Sequence, residues 1–162
     1  MKMTPRLICL GTCLMTVACG YSMGYEDFGG VRSIAIAVAG NQTFRQRLEI
    51  PLTRELNRAL HDYTDYQPAS FSTADAILSV EIVDIQGRNL VSAGGLPIQE
   101  GALDFSAEVK LLDRRSGEVL KQFTRVDQAE FRIPVGENET SAELEAVSNL
   151  ARKIVLALEG DF

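Results

Sequence analysis

Tryptophan is absent from the chain, histidine occurs once, and the three cysteines all fall within the first nineteen residues, at Cys9, Cys13 and Cys19. One imidazole and a few N-terminal thiols cannot assemble the nitrogen- and sulfur-rich sets that hold zinc. Nor can they build a disulfide framework across the body of the chain. The lone His61 is followed by Asp62, but adjacent residues on a helix do not face one another, so the pair reads as a solvated helix end. No serine lies in a nucleophile-elbow context with a base. Gly94-Gly95 lacks the strand-to-helix turn and the lysine of a phosphate loop. The carboxylate pairs Glu143/Glu145 and Glu81/Asp84 read as solvated faces. Positive charge is scarce as well, with 16 Lys and Arg against 22 Asp and Glu. A net charge of −6 argues against nucleic acid or bare anionic lipid as the principal ligand, although a local basic patch stays possible. The residues therefore point to no enzyme, no metal and no cofactor.

Long apolar runs are missing too, apart from one at the start. Lys2 and Arg6 precede Leu7–Ala18, an apolar stretch that reaches only about 18 Å as a helix, against a hydrocarbon core of about 30 Å. Such a segment fits a cleaved secretory signal better than a membrane span. Ala18-Cys19-Gly20 then offers a small residue before the cut and a thiol after it, which is what lipoprotein processing requires. The expectation is a signal peptide over 1–18, a lipidated tether over 19–30 and one domain over 31–162. Cleavage discards Cys9 and Cys13 and leaves a single thiol in the mature chain, for which acylation of Cys19 supplies a use. Two or three acyl chains hold a protein at a membrane essentially permanently, whereas one does so marginally. Loss of Lys2 and Arg6 moves the net charge from −6 to about −8.

Beyond the tether, Val31–Val38 alternates, with Ile34, Ile36 and Val38 on one face and Ala35, Ala37 and Ala39 on the other: a strand, broken at Gly40-Asn41. Leu48, Leu52, Leu56, Leu60 and Tyr63 recur at helical spacing, with Pro51 early enough to be tolerated. Ala76–Ile85 is a second strand whose phase slips towards Val83 and Ile85, as a bulge would cause. A glycine-rich loop over Gln86–Gly101 follows. Leu103–Leu111 alternates cleanly as a third strand, Asp113–Gly117 turns, and Glu118–Phe131 returns as a fourth. Thr140 with Glu143 resembles a capping box before the stripe Leu144, Val147, Ala151, Ile154 and Leu158. Asn41-Gln42-Thr43 and Asn138-Glu139-Thr140 match the glycosylation sequon but read as turn and cap. The expected fold is α+β, a four-stranded, mostly antiparallel sheet with two helices on one face, in the order β-α-β-β-β-α.

Several segments, in order, resemble the LptE family of outer-membrane lipoproteins in lipopolysaccharide (LPS) transport. They are Cys19-Gly20-Tyr21, Ile36 through Asn41-Gln42-Thr43-Phe44 to Leu48-Glu49 and Leu52-Thr53, Ala74-Asp75-Ala76-Ile77-Leu78, and Leu112-Asp113 with Gly117-Glu118-Val119-Leu120. The close, Leu150-Ala151 with Ile154-Val155 and Phe162, is also similar. The resemblance implies the same two-helix, four-strand arrangement. It further implies a non-catalytic protein that plugs the large LptD β-barrel, assists its assembly and helps deliver LPS to the outer leaflet. The expected location is the outer membrane, lipid-anchored, facing the periplasm or inside the barrel lumen. The other reading is a different periplasm-facing lipoprotein, a secretion pilotin or a structural adaptor.

Two candidate contact sites follow. Leu90, Val91, Leu96 and Ile98 place four aliphatic residues in the glycine-broken loop, where loops are usually polar and short. Such a loop is either tucked onto its own core or offered to another surface, and the resemblance favours the second, a barrel contact. Arg45, Arg47 and Arg54 around the first helix form the competing site, suited to LPS phosphates or acidic barrel residues, or else a solvated helix face.

Overall fold

The computed structural model describes residues 28, 30–91, 100–133 and 136–160. Its elements are β1 (Ser33–Ile36), β2 (Gly40–Asn41), α1 (Glu49–Tyr63), β3 (Gln67–Pro68), β4 (Ala76–Val91), β5 (Glu100–Asp113), β6 (Val119–Arg132) and α2 (Glu139–Glu159). The strands form one sheet in the order β3-β1-β4-β5-β6, with β2 also paired to β4. Two helices against a sheet make the fold α+β, as expected. The four-stranded, mostly antiparallel description needs correction. Among the described residues there are six strands, the order is β-β-α-β-β-β-β-α, and β1, β2 and β3 all pair in parallel. The reason is local. A helix laid over the sheet between β1 and β4 returns the chain to the same end before β4 starts, so β1 and β4 run in the same direction. Gly40-Asn41, expected only to break a strand, re-enters the sheet as β2 opposite Glu81 and Ile82.

Helix α1 buries Leu52, Leu56, Ala59 and Leu60, and Pro51 stands in its first turn, where no amide donor is needed. Tyr63, placed on the stripe by spacing, is half-exposed at the helix end. In α2 the cap lies two residues earlier than Thr140. The Asn138 side chain accepts from the Ser141 amide at 2.9 Å, and the Ser141 hydroxyl accepts from the Asn138 amide at 3.0 Å. Serine in the place of the usual glutamate completes the box and leaves Glu143 for another partner. The buried stripe of α2 includes Ala142, Ala146, Val147, Leu150, Ala151, Ile154, Val155 and Leu158, whereas Leu144 faces solvent. Both helices pack on each other, α1 against β1 and β3 and α2 against β5 and β6.

Leu78, Val80 and Ile82 of β4 join Leu103, Phe105, Ala107, Val109 and Leu111 of β5 in a single core with the helices. The phase slip in β4 is a real irregularity, with the register shifting between Ile82 and Asp84. The antiparallel ladder then continues much further than the glycines suggest, to Asn89 opposite Gly101 and Val91 opposite Glu100. Leu90 and Val91 accordingly belong to a strand and not to the expected loop over 86–101. Leu96 and Ile98 lie outside the described residues, as do the signal segment and Cys19. The other sheet face is mixed, with Ile77 opposite Leu112, Ser79 opposite Lys110 and Glu81 directly opposite Glu108. Among the described residues, no helix is long and apolar enough to cross a membrane.

Candidate functional site

One end of the sheet gathers the chemistry. The C-terminal ends of β4 and β6 and the start of β5 meet there beside the first turn of α2, while β2 enters opposite Glu81 and Ile82 in the middle of β4 and the β2–α1 connection reaches across from it. The β2–α1 connection is built by Asn41. Its side-chain oxygen accepts from the Thr43 amide at 2.9 Å and from the Thr43 hydroxyl at 2.7 Å, while its amide nitrogen donates to the Arg45 carbonyl at 2.6 Å. This Asx turn aims Arg45 across to α2. There the guanidinium pairs with Glu143 at 2.5 Å and also with Glu139. Partial burial works against the Arg45 charge, and the hydrogen bonds it donates to Glu139 and Glu143 outweigh it, raising its pKa further. Arg45 thereby ties the loop before α1 to the first turn of α2, where acidic groups also suit the helix dipole.

Beside this tie lies an open cleft of about 400 Å³. Ala102, Leu103, Phe131 and Ile133 form its apolar walls, and Arg88, Asn89 and Asn138 add polar edges. Phe131 sits where it does because Gly101, its cross-strand neighbour, has no side chain: a Cβ there would be 2.5 Å from the ring. Arg88 is held by Asp104 at 2.7 Å.

The sequence-derived contact residues divide across this end. Leu90 is 43% exposed, one position after Asn89 at the edge of the cleft. Val91 closes the ladder against Glu100. Arg45 and Arg47 share the β2–α1 connection; Arg47 is exposed and holds a left-handed backbone, φ 74°. Arg54 stands on α1 with its guanidinium 3.3 Å from Glu55, on the helix surface. The fold thus brings Arg45, Leu90 and the cleft to one end and leaves Arg54 on the flank. Phe44, fully exposed next to Arg45, and the Phe131–Ile133 wall were not singled out by sequence reasoning. The pairing of Gly101 with a phenylalanine thirty positions later carries no local signal. Among the described residues no group of three His, Cys, Asp or Glu side chains could hold a metal.

Comparisons with known proteins agree with this architecture. The model of the lipopolysaccharide-assembly family LptE matches residues 31–158. No curated protein matches the sequence. Among solved structures, a hypothetical protein from Chlamydia trachomatis superposes with a TM-score of 0.57 at 14% identity, covering 78% of this chain and 95% of that one. A candidate lipoprotein from Caulobacter crescentus gives a TM-score of 0.54 at 19% identity, covering 82% and 92% of the two chains. The PelC dodecamer from Paraburkholderia phytofirmans gives 0.53 at 14% identity, covering 82% and 90%. At these identities the likeness is one of fold.

Proposed function

The chain belongs to the LptE lipopolysaccharide-assembly family and is an envelope lipoprotein of that type, and on that premise we propose that it plugs an LptD-type outer-membrane β-barrel, helps to assemble it and assists delivery of LPS to the outer leaflet. Cys19 carries the acyl anchor, and the domain faces the periplasm or enters the barrel lumen. No step requires catalysis; the work is shape and contact.

The observation that carries this reading is a largely apolar cleft of about 400 Å³ with exposed apolar residues adjoining its surroundings in the chain: Leu90 follows Asn89 of the cleft rim, and fully exposed Phe44 precedes Arg45, which pairs with Glu139 of the lining. Exposed apolar groups near a largely apolar cleft suit a protein surface, and a rim of Arg88, Asn89 and Asn138 suits polar groups around it. Direct contact with LPS phosphate falls to Arg47 and Arg54, since at Arg45 a phosphate would have to displace two carboxylates. The test is capture from detergent-solubilised outer membrane with the tagged, lipidated chain. One stoichiometric β-barrel of LptD size should co-purify, and a Leu90→Ser variant with the same melting temperature should capture less of it. Recovery of a different envelope complex and no barrel would replace this reading with that of an adaptor.

A further inference from the structure

The cleft beside Phe131 does not end at its apolar walls. Glu137 lines it and also lines a second open groove, of about 480 Å³, together with Glu130, Arg132 and Glu145. One carboxylate therefore stands where an apolar cleft passes into a polar groove. The turn between β6 and α2 puts it there: the Glu137 carboxylate accepts from the Arg132 amide at 2.8 Å, and the Glu137 amide donates to the Arg132 carbonyl at 3.2 Å. Glu130 lies on β6 opposite Ala102, and Glu145 is in the second turn of α2. The neighbouring cations are already engaged. Arg45 pairs with Glu139 and Glu143, Arg88 with Asp104, and Arg132 with Glu100 at 3.5 Å. Glu130, Glu137 and Glu145 are exposed, and no ion pair among the described residues neutralises them.

We propose that this end of the domain binds a protein segment in which an aliphatic or aromatic residue is followed by lysine or arginine. The apolar side chain fills the cleft against Phe131 and Ile133, and the basic ones meet Glu137, Glu130 and Glu145. On the plug reading above, on which this inference rests, the segment belongs to the barrel. An apolar anchor in a pocket supplies most of the affinity of such a contact, and opposite charges at its rim supply specificity and steering. An anionic lipid does not suit the same place, because its phosphates would face carboxylates whose charge no cation offsets. Contact with LPS thus stays with Arg47 and Arg54, and the cleft is left to protein.

Fluorescence anisotropy with short dye-labelled peptides tests this on the full-length lipidated chain in detergent. The first peptide carries a leucine and a phenylalanine followed by two lysines. The second has glutamates in place of the lysines, and the third has serines in place of the apolar pair. At low salt the first should bind about five-fold more tightly than either of the others. Glu130→Lys with Glu145→Lys, which removes no bond to the backbone, should reverse the order of the lysine and glutamate peptides. Ile133→Ser, at a half-exposed position, should weaken the lysine peptide without lowering the melting temperature. Equal or tighter binding of the glutamate peptide to the parent, an order that does not reverse, or no effect of Ile133→Ser would each overturn the proposal. Barrel capture on the same variants keeps the two readings apart. If the peptides behave as expected and no barrel co-purifies, the segment chemistry stands and the plug reading fails. If the parent, the Ile133 variant and the charge-reversed variant all capture a barrel equally, the plug reading stands and this proposal falls.

Discussion

At the scale of single residues, the positions that carry the family resemblance turn out to be joints. The Asp75 carboxylate accepts from the Arg32 and Ser33 amides at 3.1 and 3.0 Å and from the Ser33 hydroxyl at 2.7 Å, so it locks the start of β1 to the start of β4. Asp113 receives the Arg115 and Ser116 amides at 2.9 and 2.7 Å and shapes the turn that Gly117 completes at φ 72°. Thr53 accepts from the Ala39 amide at 2.9 Å and so binds α1 to the chain leaving β1. The hydrogen bond from the Ser33 hydroxyl, followed by that from the Arg32 amide, lowers the pKa of Asp75 below the usual carboxylate value. A folded pKa below the unfolded one means stability that is present above the unfolded value, about 3.9, and lost as pH falls through the folded value. Asp75→Asn should therefore lower the melting temperature at pH 7, and the gap to the parent should close as pH falls below the carboxylate range. A constant gap down to pH 2 would mean that packing and not charge holds this joint. Gly101 makes a second residue-level test. Gly101→Ala must displace the Phe131 ring, at a cost of about 1–3 kcal/mol in denaturant melts. Phe131→Leu in the same chain should recover part of that loss, because the two side chains compete for one space.

At the scale of elements, the two helices are where period and packing coincide. Leu56 and Ile154 are fully buried on the inner faces of α1 and α2. Each truncation to alanine should cost about 2–5 kcal/mol, read as a shift in the denaturant midpoint with an unchanged slope. Both stripes were legible because a helix against a sheet buries one face in a repeating pattern. The third strand and the slip in β4 were legible for the same reason, since alternation reports a face and its interruption reports a bulge. The parallel pairing of β1, β2 and β3 was not. Two of those strands have two residues each, too few to show a period, and their place is set by α1 crossing the sheet. The extension of β4 and β5 beyond Gly87 was hidden by glycines that read as loop. There the ladder is held by backbone pairing and by Phe131 covering Gly101, a partner that no local window contains. The shifted cap of α2 arose because Ser141 could occupy the role usually given to a longer acid.

At the scale of the whole molecule, the candidate contacts are two kinds of chemistry at different places, and they part under mutation. Leu90 follows Asn89 of the cleft rim and Phe44 precedes Arg45 in the β2–α1 connection, whereas Arg54 projects from the flank of α1, and Arg47 from the loop before it. The chain is acidic, with a net charge of −6, so LPS phosphate approaches against a net repulsion and any attraction must come from local cations. Exposed charges act over about 8 Å at physiological ionic strength, and a contact made by Arg47 and Arg54 should therefore fade with added salt. Arg45 makes a poor probe, because removing it strands Glu139 and Glu143 and loosens the join between the two helix entries. Arg47→Ala with Arg54→Ala should weaken LPS binding several-fold at low salt, with little change at high salt and no loss of melting temperature. Leu90→Ser with Leu96→Ser should weaken barrel capture to the same extent at every salt concentration, since burial of apolar surface is not screened. Binding assays for LPS and capture assays for the barrel, run on both variants across a salt series, separate the two. If the arginine variant loses barrel capture and the leucine variant loses only LPS, the roles are exchanged. If the leucine variant lowers the melting temperature while its folded fraction captures the barrel normally, those side chains belong to the domain's own core, and the contact surface reduces to Phe44 and the Phe131–Ile133 wall.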